Sequence, residues 1–163
     1  MMLLEKLSKT LKQLGRQRII LDRVSKEPYL ERYYIFLKDR KYFPFNIFLH
    51  KFLKSDPDAQ HDHPWNYITF VIKGGYWEWV PTFSKQGDIT GEKKIWRGAG
   101  HFRRCDAASY HRIEIEPGVE CWTIFIPGIQ RQSWGFLQHD GTWNNQHWIP
   151  NEEYIAVRTN GKT

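Results

Sequence analysis

Leu3, Leu4, Leu7, Leu11 and Leu14 recur at spacings of three and four, with Lys6, Lys9 and Lys12 between them. On a helix this period gathers the leucines into one apolar stripe with a basic back, and Gly15 marks its stop. After Pro28 the texture changes to short strand-like runs divided by turn residues. The runs are Arg32–Lys38, Phe45–Leu53, His61–Ile72, Tyr76–Pro81, Lys94–Arg104, Tyr110–Ile115, Glu120–Ile126, Ser133–Gln138 and Asn145–Ile149. Between them stand Asp39-Arg40-Lys41, Ser55-Asp56-Pro57-Asp58, Gly74-Gly75, Lys85–Gly91, Gly98–Gly100, Glu116-Pro117-Gly118, Pro127-Gly128 and Asp140-Gly141. Many short strands at near-regular spacing predict an all-β sandwich or barrel. The pattern divides into a basic amphipathic helix over 1–27, a β-barrel over 28–158 and a frayed tail over 159–163.

Composition agrees with that division. Aromatic residues make up 16% of the 163 positions, eight Trp and eight Tyr among them, and rings suit half-buried sheet faces. The net charge of +6 sits in residues 1–41, where 11 Lys or Arg face 5 Asp or Glu; residues 42–163 balance 13 against 13. Such a basic segment can attract phosphate or an acidic partner, although the plainer reading is the solvated face of a helix. Cys105 and Cys121 form no C-x-x-C and no disulfide framework, which fits a reducing cytosol. Charges interrupt residues 1–14, leaving no signal-peptide apolar core, and no run approaches a membrane span. A cytoplasmic protein without membrane attachment is the expectation.

His61-Asp62-His63-Pro64-Trp65 carries the strongest chemical signal. Residues two apart on a strand share a face, so His61 and His63 can reach one divalent metal ion. Gly74-Gly75 reads as a tight hairpin that folds the next run back antiparallel. If Val71 pairs with Tyr76, Thr69 faces Glu78, and Glu78 shares the histidine side; a slip of one residue turns it outwards. Tyr67 has the parity of His63 and offers a phenol as proton donor, or as a core ring. Arg103, Arg104 and Arg112 are candidates to hold an anionic substrate, since a guanidinium fork matches carboxylate or phosphate. His50 reads as a buried hydrogen-bonded residue or a support to the site, and His101 as the start of a strand. His139 and His147 flank Asp140-Gly141, too far along the chain to join the pair.

The region 55–115 resembles the two metal-binding motifs of the cupins. His61 and His63 fill the histidines of the first motif, G-x5-H-x-H-x3–4-E-x6-G, and Gly74 or Gly75 its closing glycine. In the second, G-x5-P-x-G-x2-H-x3-N, Gly100 and His111 stand at the required spacing. Ser55 replaces the opening glycine, Tyr67 or Ile68 the glutamate, and Asp106, Ala108 and Ile115 the proline, glycine and asparagine. The resemblance thus implies a jelly-roll barrel with a three-histidine metal set, His61, His63 and His111, and no matched carboxylate. Glu78 is the residue that could replace it or bind substrate. The set is similar to that of cysteine dioxygenase and related cupins. H-D-H-P-W followed by G-G-Y-x-E also resembles uncharacterised cupins of phage and bacterial genomes.

What the resemblance implies is a metal-dependent cupin acting on a small molecule, an Fe(II) dioxygenase or hydroxylase in the first place. Zn, Mn and Ni are alternative ions. Tyr67 and Glu78 are the catalytic candidates, and Arg103 and Arg104 the substrate-binding ones. Two other readings stand beside it. One is a non-redox cupin, such as a sugar-nucleotide epimerase or isomerase. The other is a ligand-binding or regulatory module whose basic helix contacts nucleic acid or a partner; the same helix offers a homodimer contact.

Overall fold

The computed structural model describes residues 2–22, 25–38, 42–56, 59–139 and 146–151. The turns expected at Asp39-Arg40-Lys41 and Asp140-Gly141, the Pro57-Asp58 part of another, and the tail 159–163 lie outside the described residues. The chain opens with α1 (Met2–Gln13), followed by β1 (Gln17–Leu21), β2 (Pro28–Tyr34), β3 (Phe48–Phe52), β4 (Gln60–His61), β5 (Trp65–Lys73) and β6 (Gly75–Phe83). Then come β7 (Ile89–Gly98), β8 (Phe102–Cys105), β9 (Arg112–Glu114), β10 (Cys121–Gln130), β11 (Gly135–His139) and β12 (Gln146–Pro150). No helix of the described residues is long and apolar enough to cross a membrane.

The helix ends as its sequence dictates. Gly15 takes φ +63°, and the amides of Gly15 and Arg16 turn back to the carbonyls of Lys12 and Leu11. Those two bonds satisfy two of the orphan acceptors at the helix end, and glycine adopts the left-handed turn without a Cβ penalty. Only one edge of the leucine stripe docks: Leu4 and Leu11 pack on Tyr33, Leu49 and Trp122. Leu3, Leu7 and Leu14 stay exposed.

Every strand pair is antiparallel. One sheet runs β1-β2-β3-β10-β5-β8, and two smaller ones run β7-β6-β9 and β12-β11-β4. His61 and His111 join the smaller sheets by exchanging both backbone hydrogen bonds, at 2.9 and 3.0 Å. This seam sets β9 beside β4 and makes a second face of the barrel. Val71 and Cys121 from the first face meet Tyr76 and Ile113 from the second in a buried cluster. Strand alternation sorts β10 in the same way: Trp122 and Ile124 pack beneath the helix, while Thr123 and Phe125 face the interior.

Four expectations change. Strand structure begins before Pro28, because β1 pairs with β2 along the edge of the large sheet. The hairpin read at Gly74-Gly75 does not form: β5 pairs with β10 and β8, and β6 with β7 and β9. Gly74, at φ +69°, instead carries the chain across from one sheet to the other, and a Cβ there would collide with the carbonyl of Glu120. The actual hairpin joins β6 to β7 through Ser84–Asp88, so residues 89–91, read as part of a turn, are strand. Finally, two long runs are each divided. His61–Ile72 breaks into β4 and β5, and Lys94–Arg104 into β7 and β8 at the Gly98–His101 turn.

Candidate metal centre

The break after β4 is what aims the H-x-H pair. His61 is fixed by its bridge to His111, and the amide of His63 donates to the carbonyl of Ala107 at 3.0 Å. Asp62, between them, points the other way. Its carboxylate accepts from the Gly135 amide at 2.6 Å, from Gln132 Nε2 at 3.1 Å and from Trp148 Nε1 at 3.2 Å. It clasps β4 to β11 and β12 and holds the two imidazoles towards the interior. Burial pushes the pKa of Asp62 up, and the bonds from the Gly135 amide and Trp148 push it back in part.

His61, His63 and His111 converge from the seam. Their ring centroids lie 4.9 to 5.2 Å apart, and one nitrogen from each falls within 4.8 Å of the others. His63 Nε2 and His111 Nε2 are 2.8 Å apart. Two ring nitrogens at that separation need a shared proton or a shared cation between them. Glu78 settles which form His111 takes: its Oε1 lies 3.0 Å from His111 Nδ1, so that nitrogen carries the proton and Nε2 presents its lone pair. Asp56 Oδ2 is 3.9 Å from His61 Nδ1. Three imidazole donors, with a carboxylate behind His111, suit a divalent transition metal.

Glu78 is buried at 1% exposure, but not where the hairpin argument put it. It reaches His111 from β6, which pairs with Ile113 of β9, and it stands behind the histidine rather than along the cavity wall. Arg97 Nε donates to it at 2.9 Å, and Arg103 Nη1 forms an ion pair with its Oε1. Burial alone would raise its pKa; the bonds and charges of His111, Arg103 and Arg97 hold it down at about 2. Glu78 is therefore an anion that positions His111.

The remaining candidates separate. Tyr67 is buried beside the cluster, its hydroxyl 3.4 Å from His111 Nε2 and its ring centroid 4.6 Å from that of His63. Burial, then the neighbouring Cys105, pushes its pKa well above the usual tyrosine value, so the phenol keeps its proton. Arg103 spends its charge on Glu78, and Arg104, opposite Ile68 on β8, is exposed. Arg112 stacks on Trp79 and lies 3.9 Å from Glu92. His101 starts no ligand set; it closes the turn before β8. The side chains of His139 and His147 lie outside the described residues.

The cluster opens on a cavity of about 260 Å³, at the small end of ligand sites. Apolar and aromatic groups make most of its wall, including Trp65, Phe125 and Trp134. Its wall also includes Tyr29 and Arg32, which the sequence did not place at the site, and His50, read there as a buried hydrogen-bonded residue or a support to the site. His50 is buried and accepts a hydrogen bond from Arg32 Nε at 3.0 Å; burial, then the Arg32 charge, drives its pKa well below the usual value. The signal for this pair was the strand alternation of β2 and β3, which points both residues inwards once their register is known.

The two facing sheets and the histidine seam define a cupin-type jelly-roll barrel with a three-histidine group fit for a divalent metal. Among solved structures it is similar to the polyketide cyclase RemF of Streptomyces resistomycificus. That likeness has a TM-score of 0.53 at 14% identity and covers 80% of this chain and 82% of the other. A weaker likeness, TM-score 0.45 at 14% identity, links it to a cupin-like protein of Thermotoga maritima, over 82% and 86% of the two chains. Hydroxypropylphosphonic acid epoxidase of S. wedmorenis gives 0.48 at 15% identity; 69% of this chain spans 56% of that one. No protein-family model matches the chain, and no curated protein is similar to it in sequence. At these identities the likeness is one of fold.

Proposed function

We propose that the protein is a metal-dependent oxidoreductase that uses molecular oxygen on a small molecule, with iron(II) held by His61, His63 and His111. The observation that supports it is the convergence of three imidazole nitrogens on a mostly apolar cavity, without a carboxylate among them. Three neutral ligands leave positions for substrate and oxygen, and iron bound there supplies the oxygen chemistry.

The chain's own groups have separable tasks. Glu78 keeps the proton on His111 Nδ1 and so keeps Nε2 free to bind. Asp56 lies 3.9 Å from His61 Nδ1 and is itself held by the Ile113 amide at 2.6 Å and by the hydroxyl of Tyr29. Tyr67 retains its proton and can donate a hydrogen bond to a group seated at the cluster. The rings of Trp65, Phe125 and Trp134 line the pocket with apolar surface.

The reading is tested by loading the protein with Fe(II), Zn(II) or Mn(II) under exclusion of air. Small organic substrates are then screened for oxygen uptake. The expected result is substrate-dependent oxygen consumption with iron alone, lost in His63→Ala. Turnover of a substrate with no oxygen consumed, at equal rate with zinc, would overturn it in favour of non-redox chemistry.

A further inference from the structure

The cavity wall carries two kinds of polar group. One is the histidine group. The other is Arg32, which enters the wall from β2, directly opposite His50 on β3, which is opposite Thr123 on β10. The guanidinium is held from two sides: its Nε donates to His50 Nε2 at 3.0 Å, and its carbon lies 4.6 Å from the centre of the Phe48 ring. Neither contact neutralises it. Among the described residues no carboxylate pairs with Arg32; the groups that act on its charge are Tyr34, Arg18 and Tyr29. The acids that share the cavity wall, Asp22 and Asp56, are engaged elsewhere. Asp22 accepts from the Ser25 amide at 2.7 Å and lies 3.7 Å from Lys54 Nζ. Asp56 is taken by Tyr29 and Ile113.

Leaving a charge in a partly desolvated wall without a counter-ion costs stability, because solvent is displaced and no opposite charge replaces it. Arg103 shows the contrast within this same molecule, since it is matched by Glu78. A guanidinium anchored through Nε on a neutral imidazole keeps its two terminal nitrogens for a planar, two-oxygen acceptor. We infer that Arg32 is the anion-binding residue of the cavity, and that the ligand is a small monocarboxylate whose other end lies at the histidine group. A single cation favours a carboxylate over a phosphate dianion, since no second Arg or Lys lines the pocket. The cavity volume of about 260 Å³ has room for such an acid. The inference names the substrate class of the site proposed above and rests on that reading for the reacting end alone.

The test is a ligand-detected NMR titration of the full chain, metal-free and then Zn(II)-loaded. Lactate, pyruvate and propionate are compared with their amides and with inorganic phosphate. Carboxylates should bind the metal-free protein, with amides and phosphate at least about 10-fold weaker, as expected when a charge-assisted bond is lost. Arg32→Met should weaken carboxylate binding about 10- to 100-fold, and Arg32→Lys should retain part of it. Both variants keep a long stem over Phe48, so melting temperature and zinc uptake should stay near wild type. Equal binding of acid and amide, or undiminished binding in a folded Arg32→Met, would overturn the inference. Zinc uptake without carboxylate binding refutes the role of Arg32 alone. Carboxylate binding without any metal uptake refutes the metal centre alone.

Discussion

Glu78 shows how one residue can set the state of another without lining the cavity. It is buried, ionised and matched by two arginines, and through His111 Nδ1 it decides which nitrogen of that ring is available. Glu78→Gln keeps an acceptor for His111 but leaves Arg97 and Arg103 without a counter-charge. We expect a stability loss on the order of 3 kcal/mol in urea unfolding, at the low end for a broken buried pair because both arginines are partly exposed. Metal affinity should fall about 10- to 100-fold, as for other groups that orient a ligand. Asp62→Asn tests the opposite side of the H-x-H pair. An amide cannot accept from the Gly135 amide, Gln132 and Trp148 together, and unfolding should cost about 1–3 kcal/mol less. The histidines themselves were legible in the sequence because spacing within a motif is local. Arg32 was not, because its meaning comes from strands that meet only in the folded sheet.

At the scale of elements, the corner between β5 and β6 governs the site. The sequence suggested a hairpin at Gly74-Gly75, and two glycines are as suitable for a corner as for a turn. What separates the two is the neighbouring strand end at Glu120, which no local pattern shows. Gly74→Ala should lower stability by about 1–3 kcal/mol, through the left-handed φ and the clash with the Glu120 carbonyl, and should loosen the metal site with it. Glu120 also ties strand ends together electrostatically. Its pKa is held down at about 2 by the hydrogen bond from Lys73, against a smaller effect of burial, with Lys51 at 3.1 Å adding to it. A depressed carboxylate stabilises the fold above its ordinary pKa of 4.5 and loses that contribution as pH falls from there towards 2. The group is a third exposed, so solvent screening keeps the contribution to about 1 kcal/mol or less. Urea unfolding of Glu120→Gln should therefore differ from wild type at pH 7 and converge with it near pH 2. A constant difference across that range would assign the effect to packing instead.

Across the whole molecule, the barrel places its chemistry at a seam. The bridge between His61 and His111 joins the two smaller sheets, so the same residues close the second face and carry the ring nitrogens. The β-rich architecture and the N-terminal helix could be read from periodicity, since short alternating runs and a leucine stripe are local signals. The sheet order could not, because β10 lies between β3 and β5 and is brought there by long-range pairing. The central claim is that this seam holds a divalent metal through His61, His63 and His111. Elemental analysis of natively purified protein, beside His61→Ala, His63→Ala and His111→Ala, addresses it most directly. The account predicts about one transition-metal ion per chain in the wild type and almost none in any variant, with the folded state retained. Native protein without metal, whose melting temperature does not rise with added Fe(II), Zn(II), Mn(II) or Ni(II), would contradict it.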